Sequence, residues 1–162
     1  NNYTTVALSR YVTAVASGKK YNYQLMDRIV DASGKTVKKY KADYEDISDT
    51  LTDSQWDALH SGMRQVVSTM DRFQGFDIPV AGKTGTAQQT GHANHGLFIG
   101  YAPYDDPEIT IAVRIANGYS SHNAATAARN VISYYYKETS MKDIKEMKAA
   151  GVNGNTRNSV AD

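Results

Sequence analysis

Residues 79–116 read PVAGKTGTAQQTGHANHGLFIGYAPYDDPEITIAVRIA. Three β-rich segments lie within them: Val80 to Gln88, Gly96 to Ala102 and Glu108 to Ala116. Gln89 to His95 and Pro103 to Pro107 connect the segments. Both connections are short enough for antiparallel neighbours, and neither has room for a crossover helix. Asn117-Gly118 breaks the last segment. The stretch predicts a three-stranded antiparallel sheet, which the remaining residues must cover.

The flanking sequence supplies the cover. Thr5 to Ser17 reads as a helix, with Leu8, Tyr11, Val12 and Val15 on one face and Gly18 as its stop. Tyr21 to Val30 and Lys35 to Tyr40 are β-rich, and Ser33-Gly34 between them predicts a hairpin. Lys41 to Leu51 is polar and reads as loop. Thr52-Asp53-Ser54-Gln55 matches a capping box, followed at spacings of three and four by Trp56, Leu59, Met63, Val66, Val67 and Met70. Trp56 reads as a buried anchor of that helix, and the methionines as its core. Asp71 to Pro79 reads as loop. Ser121 can cap a helix running to about Glu138, with one or two rings of Tyr134-Tyr135-Tyr136 packing on the sheet. Met141, Ile144 and Met147 carry a weaker helical pattern. Gly151 to Asp162 is polar, contains glycine and reads as a disordered tail. The class is α+β: an antiparallel sheet with helices packed on its faces.

The 162 residues suffice for one domain with a core. Lys and Arg number 18 against 17 Asp and Glu, a net charge of +1 that gives no reason to expect nucleic acid or an anionic membrane as partner. Without cysteine, disulfides and thiolate metal sites are excluded. No apolar run approaches the roughly 18 residues of a membrane span. The chain starts at Asn1, without Met or signal peptide, and so reads as a piece of something longer.

Gly82-Lys83-Thr84 raises the question of chemistry. A phosphate loop needs glycine five positions earlier, where Asp77 stands. That carboxylate would oppose a polyphosphate. No helix N-terminus follows to face one, because Gly85-Thr86-Ala87-Gln88-Gln89 runs on in β fashion. Lys83-Thr84-Gly85 also matches the Lys-Thr-Gly signature of serine acyl-transfer enzymes. A site for a peptide ending in carboxylate needs a cation, orienting hydroxyls and a backbone N–H aimed at the developing oxyanion. Gly85 lets a substrate approach the backbone closely. Alternation puts Lys83 on the face opposite Thr84 and Thr86, and only an edge strand lets both sets reach one cleft.

"AGKTGTAQ" followed by "NHGLFIGYAPYDDPEITIAVRIANG" resembles the end of a class B penicillin-binding protein transpeptidase domain. "YTTVALSRYVTAVASGKKY" and "SGMRQVV" resemble that family's segments upstream of Lys-Thr-Gly, so the likeness covers roughly residues 3 to 137. The resemblance implies the carboxy-terminal part of a β-lactamase/transpeptidase-like fold. It implies catalytic roles for Lys83, Thr84, Gly85 and Thr86. Lys83 would support proton transfer and the electrostatics of the site. The Thr84 and Thr86 hydroxyls would hold a substrate or penicillin carboxylate, Thr86 N–H would be an oxyanion donor, and Gln88 would continue the cleft-lining strand. Residues 1–138 would be transpeptidase domain, 139–150 a helical extension and 151–162 the tail.

The family's order is Ser-x-x-Lys, Ser-x-Asn, Lys-Thr-Gly. Two stretches mimic the missing motifs. Ser17-Gly18-Lys19-Lys20 falls at a helix end, whereas the nucleophile belongs at a helix start with its lysine one turn on. Ser121-His122-Asn123 comes after Lys-Thr-Gly. The expectation is a chain carrying one wall of an active site, its nucleophile in an upstream segment of the same protein, and no acyl-enzyme formed by this chain alone. The implied partners are peptidoglycan stem peptides, β-lactams, that upstream segment and a cell-wall synthesis complex at the outer face of the bacterial cytoplasmic membrane. No cofactor and no nucleic acid are implied. A β-lactam sensor, a β-lactamase-like binder, a nucleotide-binding domain and a non-catalytic scaffold are the rival readings. His92 and His95 lack companion carboxylates or cysteines and read as loop residues beside the strand, not as metal ligands.

Overall fold

A computed structural model describes residues 3–146. Residues 147–150 of the expected helical extension and the expected tail, 151–162, lie outside the described residues. The elements are α1 (Thr5–Ser17), β1 (Lys19–Tyr21), β2 (Arg28–Val30), β3 (Thr36–Lys39), β4 (Tyr44–Asp46), α2 (Asp53–Ser68), β5 (Ala81–Ala87), β6 (His95–Ala102), β7 (Ile109–Ile115), α3 (Ser121–Tyr135) and α4 (Met141–Glu146). The α+β class holds, with a three-stranded antiparallel sheet in the order β5-β6-β7.

The pleat sorts the sheet's side chains onto two faces. Pairing places Ala81 beside Tyr101, Lys83 beside Ile99 and Gly85 beside Leu97 on one face. There Ala81 and Tyr101 pack with Val12 and Val15 of α1 and Met63 of α2. The other face carries Thr84 beside Phe98 and Thr86 beside Gly96. Phe98 packs there with Val67, Met70, Phe73 and the small residues Ala124, Ala125 and Ala128 of α3. Three alanines at that spacing let α3 lie close to a sheet whose own residues on this face include Gly82, Gly96 and Gly100. The helix α2 contributes to both clusters, because Met63 and Val67 are one turn apart on it.

Local chemistry sets the boundaries. Thr4 caps α1 by accepting the Ala7 N–H, and Gly18 ends it at φ 65°, a left-handed position that glycine adopts at least cost. A capping box opens α2, with the Thr52 N–H donating to Gln55 Oε1 at 2.9 Å. The hairpin β2–β3 is closed by Asp31, whose Oδ1 accepts from Ser33 N, Ser33 Oγ and Lys35 N.

Several expectations need correction. The stretch Lys41 to Leu51 is not all loop: β4 pairs with β1, Tyr21 opposite Tyr44, and a 3-10 turn follows at Ser48–Thr50. The expected strand from Tyr21 to Val30 is interrupted, with residues 22–27 outside any strand. Another 3-10 turn, Asp71–Phe73, lies in the second expected loop and buries Phe73 against Phe98. Ser120, not Ser121, caps α3, and the helix ends at Tyr135. Trp56 is half-buried, with its Nε1–H donating to Ser48 O at 2.8 Å. On α1, Val12 and Val15 enter the core, whereas Leu8 and Tyr11 line a groove of about 660 Å³ together with Trp56 and Leu59. Tyr136 packs against the sheet as expected, its hydroxyl donating to Ala102 O at 3.3 Å, while Tyr134 and Tyr135 are exposed.

The candidate active-site strand

Lys83, Thr84, Gly85 and Thr86 lie in the middle of β5. Among the described residues β5 has one strand neighbour, β6, so its other side is a sheet edge. Lys83 is exposed, and its Nζ bends along the strand to donate to the Thr84 carbonyl at 2.8 Å. That carbonyl faces the open edge. In an antiparallel strand a residue's N–H and C=O point the same way and alternate residue by residue, so the Thr86 amide is turned toward the same side. Gln88 is exposed, one residue beyond the end of β5.

The two glycines of Gly82-Lys83-Thr84-Gly85 have different reasons to be there. A Cβ on Gly82 would run into the Phe98 ring and come within 2.7 Å of the Ile99 carbonyl oxygen. The core requires that glycine. A Cβ on Gly85 would meet only Leu97 Cβ at 3.5 Å, an ordinary contact. Nothing within the described chain demands glycine at position 85.

Both ends of the strand are tied down. At the start, Arg64 of α2 donates through Nη1 to the Val80 carbonyl at 3.0 Å, and Tyr104 N–H donates to Pro79 O at 2.7 Å. Beside the start, Tyr101 is paired with Ala81 and fully buried. Its hydroxyl lies 2.6 Å from Nδ1 of His60, again on α2. Burial pushes the Tyr101 phenol up to about 12, with Tyr104 adding to the rise. Burial likewise lowers the His60 pKa, opposed by the nearby Asp57 carboxylate. At the far end Ala87 pairs with His95, the first residue of β6. His92 is exposed in the connecting turn. Among the described residues no group of three or more His, Cys, Asp or Glu is placed to hold a metal ion.

The serines of Ser17-Gly18-Lys19-Lys20 and Ser121-His122-Asn123 sit in helix termini. Ser17 is the last residue of α1, and its Oγ donates back to the Thr13 carbonyl at 2.7 Å. Ser121 is buried in the first turn of α3, and Asn123 donates through Nδ2 to Gly118 O at 2.9 Å. The strand itself falls where its β-rich run lies, whereas Arg64, His60 and Tyr101, which hold its start, meet it across long sequence separations that no local pattern reveals.

An edge strand presenting a cation, two hydroxyls and outward backbone groups can bind an extended, carboxylate-bearing peptide as an added strand. The chain belongs to the penicillin-binding protein transpeptidase domain family, whose model matches residues 1–133. It is 28% identical over 158 residues to the peptidoglycan D,D-transpeptidase MrdA of Haemophilus influenzae, covering 83% of this chain and 24% of that protein. The chain thus spans about a quarter of the length of that relative. Its fold is similar to the D,D-transpeptidase domain of a peptidoglycan glycosyltransferase from Eggerthella lenta, with TM-score 0.70, 24% identity and coverage of 83% and 32% of the two chains. Penicillin-binding protein A of M. tuberculosis, solved as an imipenem acyl-enzyme complex, superposes with TM-score 0.72 at 20% identity, covering 83% of this chain and 31% of that one.

Proposed function

We propose that this chain is the carboxy-terminal part of a peptidoglycan D,D-transpeptidase and forms the Lys-Thr-Gly wall of its active site. Residues 1–138 belong to the transpeptidase domain and 139–150 extend it. The observation that carries this reading is the edge position of β5, which lets Lys83 and the Thr84–Thr86 pair serve one cleft although they alternate in the pleat. The nucleophilic serine and its lysine lie on an upstream segment of the same protein.

In the reaction, the serine Oγ attacks the carbonyl carbon of a terminal D-Ala–D-Ala peptide bond and gives up its proton to the site's base. Thr86 N–H stabilises the resulting oxyanion. Hydroxyls of Thr84 and Thr86 donate to the substrate carboxylate, and the Lys83 cation balances its charge. As the tetrahedral species collapses, the C–N bond breaks and the leaving D-Ala amine takes up the proton. An amine of a second stem peptide then displaces the serine, forming the cross-link. A β-lactam enters as the donor peptide does and stays on the serine. The parent works at the outer face of the cytoplasmic membrane within a cell-wall synthesis complex. Among the described residues no helix is long and apolar enough to cross a membrane.

The test is intact-mass analysis after incubation with a penicillin, on this chain and on the polypeptide that joins it to its upstream segment. The expected result is one adduct, on the upstream serine, formed roughly 10²–10³-fold more slowly in Lys83→Ala. An adduct on residues 1–162 would sink the split-site reading. An acylation rate indifferent to Lys83→Ala would remove the strand from the chemistry.

A further inference from the structure

The far end of the candidate strand is held by an arrangement that the function described so far does not use. Its centre is His95. The ring's Nδ1 accepts the backbone N–H of Asn117 at 3.0 Å. On the other side, Nε2 meets the side-chain amide of Gln89, and Arg114 Nη2 lies 2.8 Å away against the same edge. A backbone N–H can only donate, so Nδ1 is the acceptor. Gln89 Nε2 and Arg114 Nη2 are donors as well, so both nitrogens of the ring face donors. One side chain thus joins three segments: the residues just after β5, the start of β6, and the turn after β7.

That turn is built for the purpose. Asn117 and Tyr119 both adopt left-handed φ values, 52° and 65°, which are costly for residues with a Cβ. Each directs its N–H at the start of β6. Asn117 donates to His95 Nδ1, and Tyr119 N–H donates to the Asn94 carbonyl at 3.0 Å. Between them, the Ser120 carbonyl sits over Gly96, where a Cβ would collide with it. Strained backbone persists where surrounding contacts over-determine it, and three of the contacts here fall on residues 94–96. Of these, Gly96 and His95 face Thr86 and Ala87 across the ladder.

We propose that His95 is a positioning residue for the acyl-transfer site. It fixes where the last residues of β5 lie, and hence the aim of the Thr86 hydroxyl and amide and the place of Gln88. The need for it follows from topology. An edge strand has pairing on one side only, and the Thr86–Gly96 and Ala87–His95 pairs are the last before a seven-residue turn, 88–94. His95 touches neither substrate nor nucleophile and acts through Gln89 and the ladder. The inference rests on the reading of β5 as the active-site strand.

The experiment uses the polypeptide that carries the upstream serine, and measures penicillin acylation with the pre-covalent dissociation constant resolved from the acylation rate constant. Three variants divide the ring's contacts. His95→Asn keeps an acceptor near the position of Nδ1, His95→Gln reaches the position of Nε2 only, and His95→Ala keeps neither. His95→Ala is expected to lower the acylation rate constant about tenfold to a hundredfold, as small misplacements of reacting groups do. The thermal midpoint should move little in parallel. His95→Asn should recover most of the rate and His95→Gln should not. Amide hydrogen exchange on the 162-residue chain should show Ala87, whose N–H alternates into the ladder, exchanging faster in His95→Ala and rescued in His95→Asn. Wild-type acylation in all three variants, alongside a slow Lys83→Ala, would overturn the clamp and leave the strand's role standing. Indifference to both sets would overturn the two together. Equal loss in all three variants, tracking loss of fold, would make His95 a structural residue only.

Discussion

At the scale of single residues, the two glycines flanking Lys83 and Thr84 separate packing from function. Gly82→Ala would press a methyl into the Phe98 ring and toward the Ile99 carbonyl. Overpacking of that kind costs about 1–3 kcal/mol, to be read from the urea midpoint of the chain. Gly85→Ala meets only Leu97 Cβ at 3.5 Å and should leave the midpoint within about 0.5 kcal/mol. The same methyl would stand where a substrate backbone approaches, so penicillin acylation of the joined polypeptide should fall at least tenfold. A large stability loss in Gly85→Ala, or unchanged acylation, would count against the reading of the strand. The motif Lys83-Thr84-Gly85 was legible from letters alone. The distinct reasons for the two glycines were not, because a glycine's neighbours come from another strand.

At the scale of elements, α2 and β6 are joined by the His60–Tyr101 hydrogen bond. Burial holds the folded-state pKa of His60 below its ordinary 6.5, so the unfolded chain binds the extra proton more readily. Its contribution is present in full above about 6.5 and is lost as pH falls through the lowered value. Tyr101 works in the opposite direction. Its folded-state value is raised to about 12, so its contribution is intact below about 10 and is lost as pH rises through about 12. Thermal midpoints measured against pH should decline at both ends. His60→Phe should flatten the acid limb and Tyr101→Phe the alkaline one. An acid limb unchanged in His60→Phe would assign the loss to carboxylates such as Asp31 and Asp46, whose values are lowered by hydrogen bonds from Ser33 and Ser48. Elements with local signatures were readable: α1 from its spacing and Gly18, α2 from its capping box, the sheet from three β-rich runs with short links. β4 was not, because Tyr44-Glu45-Asp46 has no apolar alternation and becomes a strand only by pairing with Lys19–Tyr21. Ser120 and Ser121 are equally good caps in sequence, and only the turn from Asn117 decides between them.

At the scale of the molecule, the sheet separates two cores that share α2. Phe98 is fully buried on the α3 side and stacks on Phe73 with centroids 5.9 Å apart. Phe98→Ala should cost about 3–5 kcal/mol, read as a lowered thermal midpoint by circular dichroism. Val12→Ala, on the other face, removes two methyl groups and should cost less, about 1–3 kcal/mol. Near-additive losses in the double variant would show the two cores to be independent, whereas strong coupling would mean that α2 transmits strain between them. The overall class was legible because it depends on the order of elements. The edge position of β5, on which the proposed function turns, depends on strand order in space and could be stated only as a condition.

The turn at Asn117 carries a liability of a different kind. Asn117 precedes Gly118, the neighbour that least shields an asparagine from attack by the next backbone nitrogen. Such attack expels ammonia and forms a succinimide, which water opens to aspartate or to isoaspartate. Isoaspartate lengthens the main chain by one methylene, between the two N–H groups that grip residues 94 and 95. The Gly118 N–H is engaged with the Ile115 carbonyl at 3.2 Å, and this bond opposes the reaction while the fold is intact. Deamidation at Asn117 would therefore act as a chemical clock: a copy aged at this turn would keep residues 83–85 unchanged while losing the spacing between the N–H groups that hold residues 94 and 95.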